Sequence, residues 1–363
     1  MTLTRRDFSR LAGLATASAF VPSAHGQTGQ HPIGWCVVGL GRISMDHFMP
    51  GVKLSQKGKI VALVSGHRDK AEKQATLYGV SQSAIYNYDN MDAIRDNKEI
   101  DAVYIALPNS MHAEYTIRSA KAGKHVLCEK PMATSVADAK AMIEASKAAN
   151  RKLMIAYRCQ FDPLHIKAIE MIRSGQLGQI QGIESAFGFN IQPGEWRLDR
   201  KLAGGGPLMD VGIYCLNASR YLTGEEPQEI KAYSSVIDHD GRFNTVEENV
   251  SWTMKFPSGI VAACNTTYGG NMNGYFRVHG AKGAIEMLPA FNYDGMHLAG
   301  QIGRDQKIDE LSPVREPMEF TRQADHFADC VWNDRTPKTP GEEGLRDMEL
   351  MSEIYQAAGL PGL

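Results

Sequence analysis

Residues 33–157 alternate between short apolar runs and longer segments in which apolar positions recur every three or four residues. Apolar runs that stop at Gly, Pro, Asn or Ser are typical of buried strands, and the longer segments are typical of helices. The predicted strands are Ile33–Val38, Lys59–Val64, Asp101–Leu107, Lys124–Cys128 and Lys152–Ala156, and the clearest helices are Met111–Lys121 and a segment capped by Thr134 or Ser135 that runs to Asn150. Strands and helices that alternate in this way predict a parallel sheet.

The pattern changes after Pro163. One helix, Leu164–Ser174, ends at Gly175, and longer strands with alternating apolar and polar positions follow. These strands predict a second, α+β domain with a large and mostly antiparallel sheet, one face of which packs on helices. The predicted strands are Gln179–Phe189, Glu229–Ile237, Val246–Phe256, Ile260–Tyr268, Tyr275–Gly280 and Ala284–Met287. The other face of this sheet is broad and open, which favours oligomerisation.

The first strand leads into a glycine-rich turn, Gly39-Leu40-Gly41-Arg42-Ile43-Ser44, and then into a helical stretch. Glycines at this place allow a tight turn and let a pyrophosphate approach the N–H groups of the helix. The sequence therefore predicts an N-terminal Rossmann dinucleotide-binding domain. The final position of the fingerprint is Ser44 instead of Gly or Ala, a small departure.

The end of the second strand bears on the choice of nucleotide. A site selective for NAD usually has an acidic residue there to hold the ribose 2′-hydroxyl. This chain has Ser65-Gly66-His67-Arg68, and a hydroxyl beside a guanidinium suits a 2′-phosphate. The sequence favours NADP over NAD, and the alternative is that Arg68 is only a surface residue of the next helix.

Three residues are candidates for catalysis. Lys130, in Glu129-Lys130-Pro131, follows a strand at the edge where ligands bind to open α/β sheets. Asp210 and Tyr214 lie i and i+4 on a predicted helix that begins near Pro207, so both lie on one face and can share a proton relay. An ammonium near a phenol stabilises the tyrosinate, so we expect Lys130 to lower the pKa of Tyr214 and fit it for acid–base work.

The first residues predict an export signal. Arg5-Arg6 lie in a twin-arginine pattern, and a mildly apolar stretch, Leu11–Val21, and small residues around Gly26 follow. We expect residues 1–26 to be removed near Gly26–Gln27, the nucleotide domain to cover residues 27–157, and the substrate and oligomerisation domain to cover residues 158–363, with a C-terminal helix that packs back on the first domain. Transport by the twin-arginine export machinery would place the protein in the periplasm.

Composition narrows the class of protein. The 363 residues carry a net charge of −2, no basic cluster that indicates nucleic acid, and no apolar run long enough to span a bilayer. The six cysteines are scattered singly among apolar residues and show no spacing of a metal or redox site, so we expect no metal.

Together these motifs resemble the Gfo/Idh/MocA oxidoreductase family, and most closely its glucose–fructose oxidoreductase branch. The resemblance covers nearly all of the chain after the export signal and includes Leu63-Val64-Ser65-Gly66, Leu107-Pro108-Asn109-Ser110, Trp196-Arg197-Leu198 and Pro340-Gly341-Glu342-Glu343-Gly344. It implies a Rossmann domain, an open-faced sheet domain and sugar or polyol substrates. Most of the family has His where this chain has Tyr214, and the sugar oxidoreductase branch has Tyr.

The resemblance also implies roles for residues. Lys130, Asp210 and Tyr214 form the catalytic group, Trp196 and Arg197 line the cofactor and sugar pocket, and Arg158 lies near the nicotinamide. The full set that we assign to the nucleotide is Gly39, Gly41, Arg42, Ile43, Ser65, Gly66, Arg68, Lys70, Tyr88, Leu107, Pro108, Asn109, His112, Glu129, Lys130, Arg158, Trp196 and Arg197. The set that we assign to the substrate is Lys130, Arg158, Asp210, Tyr214 and Tyr293.

Two departures from that branch concern assembly and the second substrate. The N-terminal arm that buries the adenine and joins a tetramer in that branch is reduced here to residues 27–32, and the loop before Trp196 is shorter. We therefore expect a homodimer in preference to a tetramer, and an aldose–aldose activity stands beside a glucose–fructose one.

The export signal suggests how the reaction proceeds, because no NADP(H) pool exists outside the cytoplasm. We expect tightly bound NADP(H) that is recycled in place: one sugar is oxidised at C1 to a lactone, and a second is reduced to an alditol, by a ping-pong mechanism. The alternatives are a nicotinamide-dependent glycoside hydrolase, a simple NADP-dependent sugar dehydrogenase and a non-catalytic nucleotide-binding sensor.

Overall fold

The structure is a computed structural model that describes residues 31–363. The predicted export signal and the residues up to 30 lie outside this range, so that prediction stays a prediction. The described chain forms a mixed α/β molecule with two sheets, one parallel and one mostly antiparallel, as the sequence predicted.

The first sheet has six parallel strands in the order β3-β2-β1-β4-β5-β6. This is the Rossmann arrangement, in which the chain starts at the centre and winds outward in both directions. Its strands are β1 (Ile33–Val38), β2 (Gly58–Val64), β3 (Ile85–Tyr86), β4 (Ala102–Ile105), β5 (His125–Cys128) and β6 (Leu153–Ile155). The short β3 was not predicted; its two residues pair with Leu63 and Val64 at the end of β2.

Helices cover both faces of this sheet and connect its strands. They are α1 (Met49–Leu54), α2 (Arg68–Tyr78), α3 (His112–Lys121) and α4 (Val136–Ala148). Ser135 caps α4 by accepting a hydrogen bond from the Asp138 N–H at 3.0 Å, as the sequence indicated. A π-helical segment, Ile43–Phe48, leads from the glycine turn into α1.

The second sheet has eight strands in the order β14-β13-β12-β11-β7-β10-β9-β8, and all its pairs are antiparallel except β7 with β10. Its strands are β7 (Ile180–Gly188), β8 (Glu229–Ser235), β9 (Asn249–Lys255), β10 (Val261–Thr267), β11 (Met272–Gly280), β12 (Gly283–Met287), β13 (His297–Ile302) and β14 (Gln306–Leu311). The hairpin of β13 and β14 was missed, because it lies at the sheet edge and only Leu298 and Ile308 on it are buried.

The helices of the second half are α5 (Pro163–Arg173), α6 (Arg200–Ala203), α7 (Ile213–Thr223), α8 (Met318–Trp332) and α9 (Gly341–Ala357). A π-helical segment, Leu208–Gly212, precedes α7. Asp162 caps α5 by accepting from the Leu164 N–H at 2.8 Å, and Pro163 occupies the first turn, where its missing N–H costs nothing.

The last helix, α9, packs against α4 and β6 of the first domain. The Ile155 N–H donates to the Thr339 carbonyl at 2.8 Å, and the Thr339 hydroxyl donates back to the Ile155 carbonyl at 2.6 Å. Gly344 lies so close that a Cβ there would be 2.7 Å from Ile155 and 2.9 Å from Met132. Thr339 and α9 therefore complete the core of the first domain.

Within residues 31–363, no helix is both long and apolar enough to cross a membrane. The same range contains no group of three His, Cys, Asp or Glu side chains arranged to hold a metal ion. All six cysteines are free and buried, and burial raises the pKa of each thiol, which keeps them unreactive at neutral pH.

Candidate active site

The glycine turn after β1 has the shape that a pyrophosphate requires. Gly39 has φ +91°, which favours glycine, and a Cβ there would be 2.4 Å from the Ala106 carbonyl. A Cβ on Gly41 would meet nothing within 4 Å, so the chain leaves open space there. The Ser44 hydroxyl donates to the Gly39 carbonyl at 2.6 Å, and this bond gives the departure from the fingerprint a structural role.

Arg68 and Lys70, both assigned to the nucleotide from the sequence, make different contacts. The Arg68 guanidinium donates to Glu72 at 2.8 Å and to Gln82 at 3.2 Å, so it braces its own helix against the next turn. The Lys70 ammonium instead donates to the Leu40 carbonyl within the glycine turn, at 3.2 Å. Ser65 lies at the end of β2, where its hydroxyl accepts from the His67 N–H at 3.1 Å. No carboxylate of β2 occupies this strand end.

The end of β4 forms another wall of the nucleotide cleft. Leu107, Pro108 and Asn109 follow β4, and the Asn109 amide donates to the Ala203 carbonyl of the second domain at 2.9 Å. His112 is buried, with Nδ1 2.8 Å from the Pro131 carbonyl and Nε2 2.9 Å from the Leu107 carbonyl. Both ring nitrogens are engaged by backbone, so His112 fixes two loops and has no nitrogen left for a ligand.

Two further residues assigned to the nucleotide line this cleft or support it. The Tyr88 ring covers Gly66, where an added Cβ would lie 3.1 Å from it. Glu129 accepts from the Tyr104 hydroxyl at 2.6 Å and from the Lys130 N–H at 3.3 Å. Glu129 therefore fixes the turn on which Lys130 lies.

Lys130 links the two domains at the centre of the site. Its ammonium donates to the Asp210 carbonyl at 2.6 Å and to Asp210 Oδ1 at 3.3 Å. The same ammonium lies 4.7 Å from the centroid of the Tyr214 ring. The three residues predicted to be catalytic are thus brought together, and Asp210 and Tyr214 both contact Lys130.

The Asp210 carboxylate is held as an anion by three side chains. Oδ2 accepts from the Tyr268 hydroxyl at 2.8 Å and from Arg197 Nε at 3.0 Å, while Oδ1 faces Lys130. Burial acts to raise the pKa of Asp210, but Arg197, Lys130 and the Tyr268 hydroxyl outweigh it and hold that pKa below its usual value. Asp210 therefore serves as an acceptor and counter-ion that orients its neighbours.

The prediction for the Tyr214 phenol was wrong in direction. Burial raises the pKa of Tyr214 well above its usual value, and the Arg158 guanidinium, 5.3 Å from the ring centroid, is the main group that opposes the rise. The Lys130 ammonium lies over the ring and is committed to Asp210. No local pattern in the sequence indicates that Phe187 and Phe291 contact this ring.

Arg158 is buried beside the site, and both terminal nitrogens of its guanidinium donate hydrogen bonds. Nη1 donates to the Glu319 carboxylate and to the Asn292 carbonyl, each at 2.7 Å, and Nη2 donates to the Phe291 carbonyl at 2.5 Å. The guanidinium carbon lies 4.3 Å from the centroid of the Tyr293 ring. Burial and Arg158 act on Tyr293 in opposite directions, and its pKa is raised to about 12.

Trp196 and Arg197 lie in a loop of the second domain that reaches back to the glycine turn. Arg197 stacks on the Trp196 ring at 4.7 Å and pairs with Asp210. Glu195 of the same loop accepts from Arg42 at 3.4 Å, so the loop bridges the two domains next to the nucleotide cleft.

Sequence reasoning missed two site residues, Tyr268 and Glu319. Tyr268 follows β10 and is separated from Asp210 by 58 positions, so nothing local indicates the contact. Glu319 had a usable signal, because it is a carboxylate on the apolar face of α8 beside Phe320 and Ala324, and a buried acid normally has a cationic partner.

The arrangement is suited to moving a proton at a hydroxyl or carbonyl oxygen. A phenol, an ammonium and an anionic carboxylate converge at the carboxyl end of β5, beside the Rossmann glycine turn. Enclosing aromatic rings exclude water from one side of the phenol. A group bound in the adjoining cleft would lie against the same three side chains.

Comparison with known proteins agrees with this geometry. A family model described as an oxidoreductase family with an NAD-binding Rossmann fold matches residues 33–157, and the GFO/IDH/MocA C-terminal domain model matches residues 165–286. The chain is similar to the crystal structure of an aldose–aldose oxidoreductase from Caulobacter crescentus complexed with glycerol. Identity to it is 42%, the TM-score is 0.87, and the match covers 91% of this chain and 98% of that one.

Two curated relatives are D-xylose dehydrogenases. The chain is 28% identical to the D-xylose 1-dehydrogenase [NADP(+)] of Haloarcula marismortui, over 90% of this chain and 91% of the relative. It is 30% identical to D-xylose 1-dehydrogenase (NADP(+)) 2 of Haloferax volcanii, over 89% and 96%. With both domain models matched, this chain belongs to the Gfo/Idh/MocA family of oxidoreductases, with a Rossmann nucleotide-binding domain followed by the family's C-terminal domain.

Proposed function

We propose that this protein is an exported sugar oxidoreductase with resident NADP(H). It oxidises an aldose at C1 to the aldonolactone and reduces a second sugar to an alditol in a ping-pong cycle. The observation that carries the proposal is the convergence of Lys130, Asp210 and Tyr214 at the carboxyl end of β5, in the parallel sheet whose strand β1 leads into the glycine turn. The similarity to an aldose–aldose oxidoreductase over nearly the whole chain supports the choice of substrate class.

The residues of the cleft fit a phosphorylated dinucleotide. The open space at Gly41 accommodates a pyrophosphate, and Ser65 with Lys70 offers a hydroxyl and an ammonium for a 2′-phosphate where an NAD site would have a carboxylate. When bound, NADP(H) supplies the hydride acceptor for the oxidation and the hydride donor for the reduction.

Proton transfer belongs to Tyr214. In the oxidation its phenolate oxygen takes the proton from the sugar O1, and in the reduction the phenol returns a proton to the carbonyl oxygen of the second sugar. A phenol kept protonated by burial is ready for the second step, and Arg158 with Lys130 stabilises the anion needed for the first. Asp210 holds Lys130 in place and accepts a sugar hydroxyl.

A simple NADP-dependent sugar dehydrogenase is the second candidate, favoured by the two D-xylose 1-dehydrogenase relatives. The two functions differ in the fate of the nucleotide. A dehydrogenase releases NADPH after each oxidation, whereas the proposed enzyme keeps it and passes the hydride to another sugar.

One experiment decides between them. The protein is purified without added nucleotide, and the absorbance of reduced nicotinamide is followed as an aldose is added, removed by desalting, and replaced with a second sugar. We expect the absorbance to rise, to stay with the protein, and to fall again with formation of an alditol. An absorbance change that appears only after NADP⁺ is added, with free NADPH in the filtrate, would support the dehydrogenase. No absorbance change with any sugar, with or without added NADP⁺, would contradict both.

Export is proposed on the twin-arginine pattern at Arg5-Arg6 alone. It is tested by comparing the periplasmic fraction of the full chain with that of the Arg5→Lys/Arg6→Lys variant. Retention of the variant in the cytoplasm, with unchanged total amount, is the expected result. Equal periplasmic amounts would contradict the twin-arginine route.

A homodimer through the outer face of the large sheet is proposed on the character of that face. At its centre Glu184, Arg277 and Glu286 form one charged row, and Ala263 on the adjoining strand is small and exposed. Two such faces can pack flat against each other with opposite charges in register. We expect sedimentation to give a dimer for the natural chain and a monomer for Ala263→Glu, while Lys121→Glu on α3 leaves the dimer intact.

A further inference from the structure

Glu319 and Arg158 form a buried ion pair behind the candidate site. The side chains are 1% and 5% exposed, and Oε2 of Glu319 lies 2.7 Å from Nη1 of Arg158. Two backbone carbonyls, of Asn292 and Phe291, also accept from this guanidinium. Removing a carboxylate from water is costly, so its presence here needs a reason beyond holding a side chain that the carbonyls already hold.

The pair lies directly against the phenols of the site. The Arg158 guanidinium is 5.3 Å from the Tyr214 ring centroid and 4.3 Å from that of Tyr293. Its positive charge favours ionisation of both phenols, and a compensating negative charge beside it weakens that effect. The other titratable or charged groups that act on Arg158, Tyr214 or Glu319 are Lys130, Glu129, Cys159, His47, His165, Asp162 and Glu316.

We propose that Glu319 is a positioning residue for the chemistry of Tyr214: its buried carboxylate fixes the Arg158 guanidinium beside the ring and offsets its charge there, so that Tyr214 rests as a neutral phenol. Glu319 acts through Arg158, since Arg158 is the residue whose guanidinium lies against the ring. The role rests on the proposed function of Tyr214 as the proton-transfer residue.

The arrangement balances the two half-reactions. With Arg158 uncompensated, the pKa of Tyr214 would be lower, which makes the phenolate easier to form in the oxidation and raises the share of molecules that lack a proton for the reduction. With no cation at all, burial would hold the phenol neutral and the oxidation would suffer. An arginine partly neutralised by a buried glutamate gives Tyr214 an intermediate pKa, which suits both the oxidation and the reduction.

Glu319→Gln is the informative variant, because the amide keeps the shape and an oxygen acceptor for Arg158 but removes the negative charge. Tyr214 is replaced by a multiply fluorinated tyrosine, whose phenol is intrinsically more acidic, so that its ionisation falls in an accessible pH range. The fluorine NMR signal is then titrated in the protein as purified. We expect the midpoint in Glu319→Gln to fall by about one pH unit, because a neighbouring negative charge has been lost.

Two further variants serve as controls for this titration. Glu343→Gln makes the same change at another largely buried arginine pair, with Arg220, and is expected to leave the midpoint unmoved. Glu319→Asp keeps the charge at a greater distance from Arg158 and is expected to give a smaller downward shift, which also covers the case in which the glutamine variant does not fold. A midpoint that stays fixed or rises in both Glu319 variants overturns the proposal.

The titration does not depend on turnover of any sugar, so it separates this inference from the proposed function. If no sugar reacts but the midpoint moves as expected, the electrostatic role of Glu319 stands and the assigned reaction is wrong. In the natural-tyrosine protein, the same charge change should move the pH dependence of both half-reactions downward together. A loss of rate with unmoved pH dependence would indicate a purely structural residue.

Discussion

Tyr214 is the residue on which the proposed chemistry depends, because its phenol acts as base in the oxidation and as acid in the reduction. Tyr214→Phe retains the ring, which packs between Phe187 and Phe291, and removes only the hydroxyl. We expect unchanged folding and nucleotide content, with both half-reactions slowed by about 10²–10⁴-fold. Single-turnover measurements of the two steps check this, and loss of only one step would show that another acid serves the second.

The choice between Arg68 and Lys70 is a second prediction at the residue scale. Lys70 contacts the glycine turn, whereas Arg68 is 55% exposed and paired with Glu72. Lys70→Met is therefore expected to weaken NADP binding by at least tenfold, since a charged hydrogen bond contributes about 1.5–3 kcal/mol. Arg68→Met serves as the matched control and should have the smaller effect. Calorimetric titration of nucleotide-free protein measures the NADP affinity of both variants. A larger loss of affinity in Arg68→Met than in Lys70→Met would assign the 2′-phosphate to Arg68.

At the scale of elements, the contact of α9 with α7 contains a buried carboxylate whose titration should be visible in stability. Asp347 accepts from Arg220 at 2.6 Å and from Asn217 at 3.0 Å, yet burial outweighs Arg220 and raises the pKa of Asp347 to about 6. An acid with a raised pKa binds more protons in the folded state. It therefore makes folding less favourable as pH rises from about 4 to about 6.

Asp347→Asn removes this dependence. The difference in melting temperature between the natural chain and the variant should decline between pH 4 and pH 7, by an amount equivalent to at most about 3 kcal/mol. Thermal unfolding in a series of buffers measures it. A constant difference across that range would mean that Asp347 keeps the same pKa when the chain unfolds.

The contact of α9 with the first domain gives a prediction about packing. Gly344 presses on Ile155 and Met132, and Met132 lies two positions from Lys130. Gly344→Val overpacks this contact and should destabilise the protein by about 1–3 kcal/mol. Gly182→Ala is the control, because an added Cβ there meets only the Val261 carbonyl, at 3.5 Å. Urea unfolding compares the two, and equal midpoints would show that α9 shifts freely.

What sequence could predict at this scale follows from what is local in the chain. The parallel strands of the first domain and the trio of Lys130, Asp210 and Tyr214 were found because apolar runs and short motifs carry them. The β13–β14 hairpin was missed because an edge strand such as Gln306–Leu311 buries few side chains and has a mostly polar sequence. Glu319 was missed although its place on the apolar face of α8 was a local signal, and 161 positions separate it from its partner, Arg158, which the signal does not identify. The raised pKa of Tyr214 depends on burial, and the rings that contact it, Phe187 and Phe291, are distant in the sequence, so no pattern in one segment reveals it.

For the whole molecule, the central prediction is retention of the nucleotide. Three contacts join the domains around the cleft: Lys130 with Asp210, Asn109 with Ala203, and Arg42 with Glu195. We expect protein passed through gel filtration to carry NADP(H), identified by enzymatic assay after denaturation. Protein that emerges without nucleotide, or with NAD in its place, would contradict the proposed recycling in place.

The packing of α9 against α4 and β6 has a consequence for how the protein is made. The first domain is complete only when Thr339 has bonded to Ile155 and the helix at 341–357 has covered the apolar side chains beneath it. Residues 33–157 therefore cannot reach their final packing until translation has passed residue 357, although they are translated first. A nucleotide that needs the finished domain accordingly binds only after that point.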